Sequence, residues 1–177
     1  MPGGRPLPDP DDAAAQARGR SLASPLRMRI LRLCLHESRT NKELAAELGM
    51  NPGTLLHHVR SLVDNGFLRA EEPRKGARGA KEVPYRATRL SWGTPVAGIS
   101  PILIETFLQE IEGLPPDDIT VSRLGLKLNT EHREEMLARF RAVLQEYASM
   151  DSDPDGQPIS ILFAEHPDLP RDQRGGG

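Results

Sequence analysis

Apolar residues recur at helical spacing in several stretches of the chain and alternate in a few others. Leu26, Ile30, Leu33 and Cys34 predict a helix from Pro25 to about Glu37, with Ser24 as its N-cap and Pro25 at its first position. Leu44, Ala45 and Leu48 form the next apolar stripe. Thr40 and Glu43 ahead of it make a T-x-x-E capping box, and Gly49 supplies the stop. Asn51-Pro52 restarts a helix almost at once, and Asn65-Gly66 closes it after Asp64. Two short helices so tightly joined predict a helix-turn-helix. Phe67–Glu72 and Val83–Arg89 then read as two strands around a Gly-rich basic loop. Three helices and such a hairpin make a winged helix, so the fold class is mainly α with a small β component (α+β).

The second half continues the pattern. Leu103, Ile104, Phe107, Leu108 and Ile111 predict a helix over 100–113, stopped by Leu114-Pro115-Pro116. Leu124, Leu126 and Leu128 alternate with Gly125 and Lys127, which predicts a strand within 119–128. Asn129-Thr130 opens a longer helix with the stripe Met136, Leu137, Phe140, Val143, Leu144 and Tyr147. Ile159–Ala164 reads as a short buried strand. The expected organisation is a disordered arm over 1–22, a winged helix-turn-helix over 23–92, a region for dimerisation or effector binding over 93–169, and a disordered tail over 170–177. No internal repeat is present.

Charge separates the two halves. The net charge of the 177 residues is -2, but residues 24–92 hold 13 basic and 7 acidic side chains, whereas residues 93–177 hold 7 basic and 15 acidic. A basic segment joined to an acidic one points to a polyanion partner for the first alone. The single cysteine excludes an internal disulfide framework and a Cys-rich zinc site. No apolar run approaches the ~20 residues of a membrane span, and the N-terminus lacks the apolar core of a signal peptide. The expected location is cytoplasmic. No Gly-rich phosphate loop, G-x-S-x-G or H-E-x-x-H occurs. The carboxylate pairs Glu134-Glu135 and Glu110-x-Glu112 fall on amphipathic helices, so the expectation is a protein that is not an enzyme and holds no metal or cofactor.

On a wheel of 100° per residue, Leu55, Leu56, Val59, Leu62 and Val63 fall within a sector of about 120°. Gly53, Thr54, His57 and Ser61 fall opposite, flanked by His58 and Arg60. A narrow polar face that starts at the helix N-terminus suits a DNA major groove about 12 Å wide. Arg74, Lys75, Arg78 and Lys81 crowd the hairpin tip, where an arginine can enter a narrow minor groove. Asn41 and Lys42, early in the second helix, are candidates for phosphate contact, and Asn51, ahead of the third, is a further DNA-binding candidate.

The stretch from S-P-L-R to the wing resembles the arsenic-repressor-like (ArsR-like) winged helix-turn-helix regulators over about 70 of the 177 residues. The matching pieces are T-x-x-E-L-A-x-x-L-G, T-L-L-H-H-V-R-x-L-x-x-x-G-F-L and E-V-P-Y-R-A-T. The resemblance implies a homodimeric transcription factor on a two-fold-related double-stranded DNA operator, with contacts from Thr54, His57, His58, Arg60, Arg78 and their neighbours. Metal-sensing members carry a Cys-x-Cys type site, whereas the helix Asn41–Leu48 has no cysteine. Cys34-x-His36 does not replace that site, because residues two apart on a helix do not share a face. Leu26 and Ile30, with Leu103, Phe107 and Ile111, are the expected dimerisation residues. A small-molecule or protein effector of the C-terminal region is a further candidate partner. The alternative is a winged-helix protein-interaction module whose acidic half binds a protein.

Overall fold

The computed structural model describes residues 13–76, 79–94, 96 and 98–168. They fall into two compact units, divided after Gly113. Among the described residues no helix is long and apolar enough to cross a membrane.

The first unit is a winged helix built on α2 (Pro25–Leu33), α3 (Asn41–Glu47) and α4 (Pro52–Asp64), preceded by α1 (Ala13–Leu22). The strands are β1 (Arg39–Thr40), β2 (Leu68–Ala70), β3 (Arg74–Lys75), β4 (Lys81–Glu82) and β5 (Pro84–Ala87). β5 is the centre of an antiparallel sheet in the order β1-β5-β2, while β3 and β4 pair separately to form the wing. The helix boundaries follow local chemistry. Thr40 accepts the Glu43 N–H at 3.2 Å and Glu43 returns the bond to the Thr40 N–H at 2.8 Å, so the capping box forms. Both turns after helices are Schellman motifs: Met50 N–H bonds to Ala45 C=O, and Phe67 N–H to Leu62 C=O. Each needs a left-handed residue, supplied by Gly49 (φ 63°) and Gly66 (φ 76°). Ser24 precedes α2 in extended backbone but makes no side-chain cap; the fixed φ of Pro25 still starts the helix.

The core comprises Leu22, Ile30, Leu31, Cys34, Leu44, Ala45, Leu55, Val59, Leu62, Phe67 and Leu68. Two expectations change here. Residues 13–22, expected in a disordered arm, form α1, because Leu22 is buried among these apolar side chains and an Ala-rich run precedes it. Residues 1–12 and the expected tail from Pro170 lie outside the described residues. The predicted helix over 100–113 is present as α5 (Ser100–Ile111), but it belongs to the first unit, packed on α2. Its Thr106 is buried, and Arg32 Nε lies 3.5 Å from Glu110 Oε1.

The second unit holds one long helix, α6 (Thr130–Ser149), whose first turn is capped by Asn129 through the His132 N–H at 2.8 Å. Phe163 stacks on Phe140 with ring centroids 4.4 Å apart, and Arg133 clasps Glu165 at 2.7 and 2.9 Å. The two predicted strands, within 119–128 and over 159–164, are not formed among the described residues. Alternation marks a segment suited to a sheet, and a strand also needs a hydrogen-bonding neighbour.

Candidate nucleic-acid interface

α4 carries the surface that the wheel predicted. Leu55, Val59 and Leu62 are wholly buried, while Gly53, Thr54, His57 and Arg60 are exposed. Ser61 is half-buried. The exposed face begins at a helix N-terminus, where free N–H groups and the helix dipole favour an anion. Asp64, exposed at the other end, puts a negative charge there that disfavours an anion.

His58 sits differently from His57. It is half-buried, and its Nδ1 has no hydrogen-bond partner. Burial first, then the Arg27 guanidinium and His57, hold its pKa below the ordinary histidine value. His58 therefore favours its neutral form and lies at the flank of the exposed face.

Three candidate DNA-contacting residues have partners within the chain. Asn51 Oδ1 accepts the Gly53 N–H at 2.8 Å and the Thr54 N–H at 3.4 Å, capping α4. Asn41 Nδ2 donates to the Pro52 carbonyl at 2.8 Å, which ties the start of α3 to the start of α4. Arg74, expected to be a free wing cation, donates through Nη2 to both carboxylate oxygens of Glu43 at 2.5 and 2.6 Å. Lys42 Nζ lies 3.6 Å from Glu82 Oε1. The wing is thus tied to α3 by two ion pairs that join residues far apart in sequence, and no local signal marks them. The Glu43 carboxyl is held below the ordinary range, chiefly by the Thr40 N–H bond, then by the Thr40 hydroxyl, Arg74 and Arg39.

Lys75 and Lys81 are exposed on opposing positions of β3 and β4, and together with Pro73, Arg74 and Gly79 they line an open basic hollow. Gly76 N–H bonds to Ala80 C=O at 2.8 Å to turn the tip, and a Cβ at Gly76 would fall 2.2 Å from the Glu82 carboxyl carbon. Arg78 lies outside the described residues.

Of the expected dimerisation residues, Ile30 is corrected: it is fully buried within the first unit, so no partner can reach it. Leu26, Leu103, Phe107 and Ile111 are half-buried, and the apolar side chains that α5 leaves open are Ile104 and Leu108. Cys34 is also core. Burial pushes its thiol up to about 12, so it is neither a thiolate ligand nor a nucleophile. Among the described residues no group of three or more His, Cys, Asp or Glu side chains is placed to hold a metal ion.

A family of helix-turn-helix domains matches residues 22–71, which span α2, α3, α4 and β2. No curated protein sequence matches the chain. Among solved structures, reduced HlyU from Vibrio cholerae is similar at 19% identity over 59% of this chain and 94% of its own, with a TM-score of 0.36. The adhesin competence repressor AdcR of Streptococcus pyogenes is similar at 20% identity over 71% of this chain and 81% of its own, with a TM-score of 0.35. A homodimeric winged helix-turn-helix DNA-binding domain from Mycobacterium bovis, described as a possible ArsR-family transcriptional regulator, is similar at 22% identity. That match covers 70% of this chain and all of the other, with a TM-score of 0.36.

Proposed function

We propose that this chain is a sequence-specific DNA-binding transcriptional regulator that acts as a cytoplasmic homodimer and represses by occupying its operator. The observation that carries the reading is α4: a wholly buried apolar face backs an exposed face of Thr54, His57 and Arg60 at a capped helix N-terminus. A rigid, capped helix with small polar groups on its first turns can enter a major groove and reach base edges. Thr54 and His57 would read bases, with Ser61 and His58 at the margins, and Arg60 would pair with phosphate or guanine. Lys75, Lys81 and Arg78 would run along the backbone and minor groove. Arg74 and Lys42 join them only by exchanging Glu43 and Glu82 for phosphate oxygens. Left in place, those pairs hold the wing on α3.

Two copies place their α4 helices about 34 Å apart on one face of the duplex, the spacing of successive major grooves. In the first unit the surface for this is Leu26 with the outward side of α5. The test is selection from genomic fragments with the full chain, followed by titration of the winner at several salt concentrations. A palindromic winner with a steeply negative salt slope is expected. Equal affinity for the winner and for random duplex would overturn the reading. Within it, Lys75→Ala should weaken binding alike on all duplexes, whereas His57→Ala should change which sequence is preferred.

A further inference from the structure

In the second unit none of the described residues is buried. Val121 is 79% exposed, Leu124 78%, Leu126 55%, Ile159 74% and Ile161 69%, and the α6 stripe is open at Phe140, Val143 and Tyr147. A segment with this apolar content and no interior lacks the buried area that offsets the entropy of ordering it. Residues 120–128 also make no backbone–backbone hydrogen bond. Backbone groups without such bonds, beside alternating apolar side chains, are a template for another strand.

Charge identifies the occupant. Residues 119–129 contain Arg123 and Lys127 and no acid. Residues 151–168 contain neither lysine nor arginine, and beside Glu165, which Arg133 already holds, they carry Asp151, Asp153, Asp155 and Asp168. Each like pairing repels and the unlike pairing attracts. One chain therefore carries both halves of a complementary surface, as a two-fold interface requires.

We infer that the second unit is completed by a second copy of this chain, the basic segment 119–129 of each copy lying against the acidic stretch 151–168 of the other. Paired in this way, residues 120–128 gain backbone hydrogen-bond partners, and Leu124, Leu126, Ile159 and Ile161 leave water together. The inference takes the homodimer from the functional reading above and assigns it a contact that the reading does not contain.

The experiment is the dimer dissociation constant of the full chain by sedimentation, for wild type, Leu126→Asp, and Arg123→Glu combined with Lys127→Glu. Both sites are exposed in a single chain, so folding of the first unit, followed by its thermal transition, is unaffected. Each variant should weaken the dimer at least about tenfold, equivalent to about 1.4 kcal/mol. Reversing Asp153 and Asp155 to lysine in the charge-reversed chain should recover most of the loss. Unchanged dissociation constants in both variants, or a wild-type chain that stays monomeric at tens of micromolar, would overturn the inference; the monomer would leave a different protein as the occupant. A monomeric wild type removes the homodimer from both readings; the other outcomes separate them. An operator selected by a chain whose dimer ignores these substitutions sinks only this inference. A dimer weakened as expected, in a chain with no preferred duplex, sinks only the DNA reading.

Discussion

The two units use similar side chains to opposite effect. In the first, Leu55, Val59, Leu62 and Phe67 are at most 1% exposed, and the helix ends are closed by a capping box and two Schellman turns. In the second, Leu124, Leu126, Ile161 and Tyr147 are more than half exposed, although α6 is the longest helix. Helix length and apolar content are therefore not what makes a unit self-sufficient. The first unit has enough elements to enclose its apolar faces, whereas the second offers one long helix and segments whose apolar side chains stay exposed. A unit of the first kind can be a rigid platform for recognition, and one of the second kind is shaped for completion by something else.

Truncation of matched leucines should separate the units most sharply. Leu62→Ala removes a wholly buried side chain and should lower stability by about 2–5 kcal/mol. Leu124→Ala removes a side chain that is 78% exposed and should leave the monomer within about 0.5 kcal/mol of wild type. Urea denaturation below the dimer dissociation constant compares them, and equal losses would erase the distinction. Backbone geometry gives the next effect. Gly49 holds φ at 63° with open space where a Cβ would sit, so Gly49→Ala costs conformational strain alone, about 1–2 kcal/mol. Gly125 also has open space and no positive φ, and Gly125→Ala should be close to neutral in the same assay. A smaller loss at Gly49 than at Gly125 would show that the turn between α3 and α4 is not under the constraint its geometry implies.

How much of this was legible in the sequence depended on range. The caps at Thr40 and Asn51 and the glycines at 49 and 66 act on neighbours within a few residues, so α3, α4 and the face of α4 could be drawn from the sequence. α1 escaped because what holds it is Leu22, a single apolar residue whose partners lie further along the chain. The strand β1 escaped because two residues carry no alternation. Residues 119–128 misled for a physical reason: Leu124, Leu126 and Leu128 announce a sheet face, while the pairing neighbour is a property of the fold. At the interface, the exposure of Thr54, His57 and Arg60 followed from helical period. The ties of Arg74 to Glu43 and of Lys42 to Glu82 did not, since nothing local tells a free wing cation from a paired one.

The tie between Arg74 and Glu43 supplies the smallest effect, and one confined to the first unit. The side chains are 47% and 42% exposed, so water screens the pair and its contribution is at most about 1 kcal/mol. Its sign is nevertheless definite. The Glu43 carboxyl is lowered in the folded chain, first by the Thr40 N–H and then by the Thr40 hydroxyl, Arg74 and Arg39. A lowered carboxyl means that the unfolded chain binds the proton more readily. The stabilisation is therefore fully present above the ordinary carboxylate value of 4.5 and disappears as pH falls through the lower folded value. Glu43→Gln keeps a side-chain acceptor for the Thr40 N–H and removes the charge. Its deficit in thermal stability against wild type should be constant from neutral pH to about 5 and then close toward pH 3. Arg74→Ala should lose only part of that deficit, because the Thr40 bonds remain. Curves for wild type and Glu43→Gln that stay parallel down to pH 3 would show that the Glu43 charge contributes nothing to holding the wing on α3. The pair would then be a contact that breaks without cost.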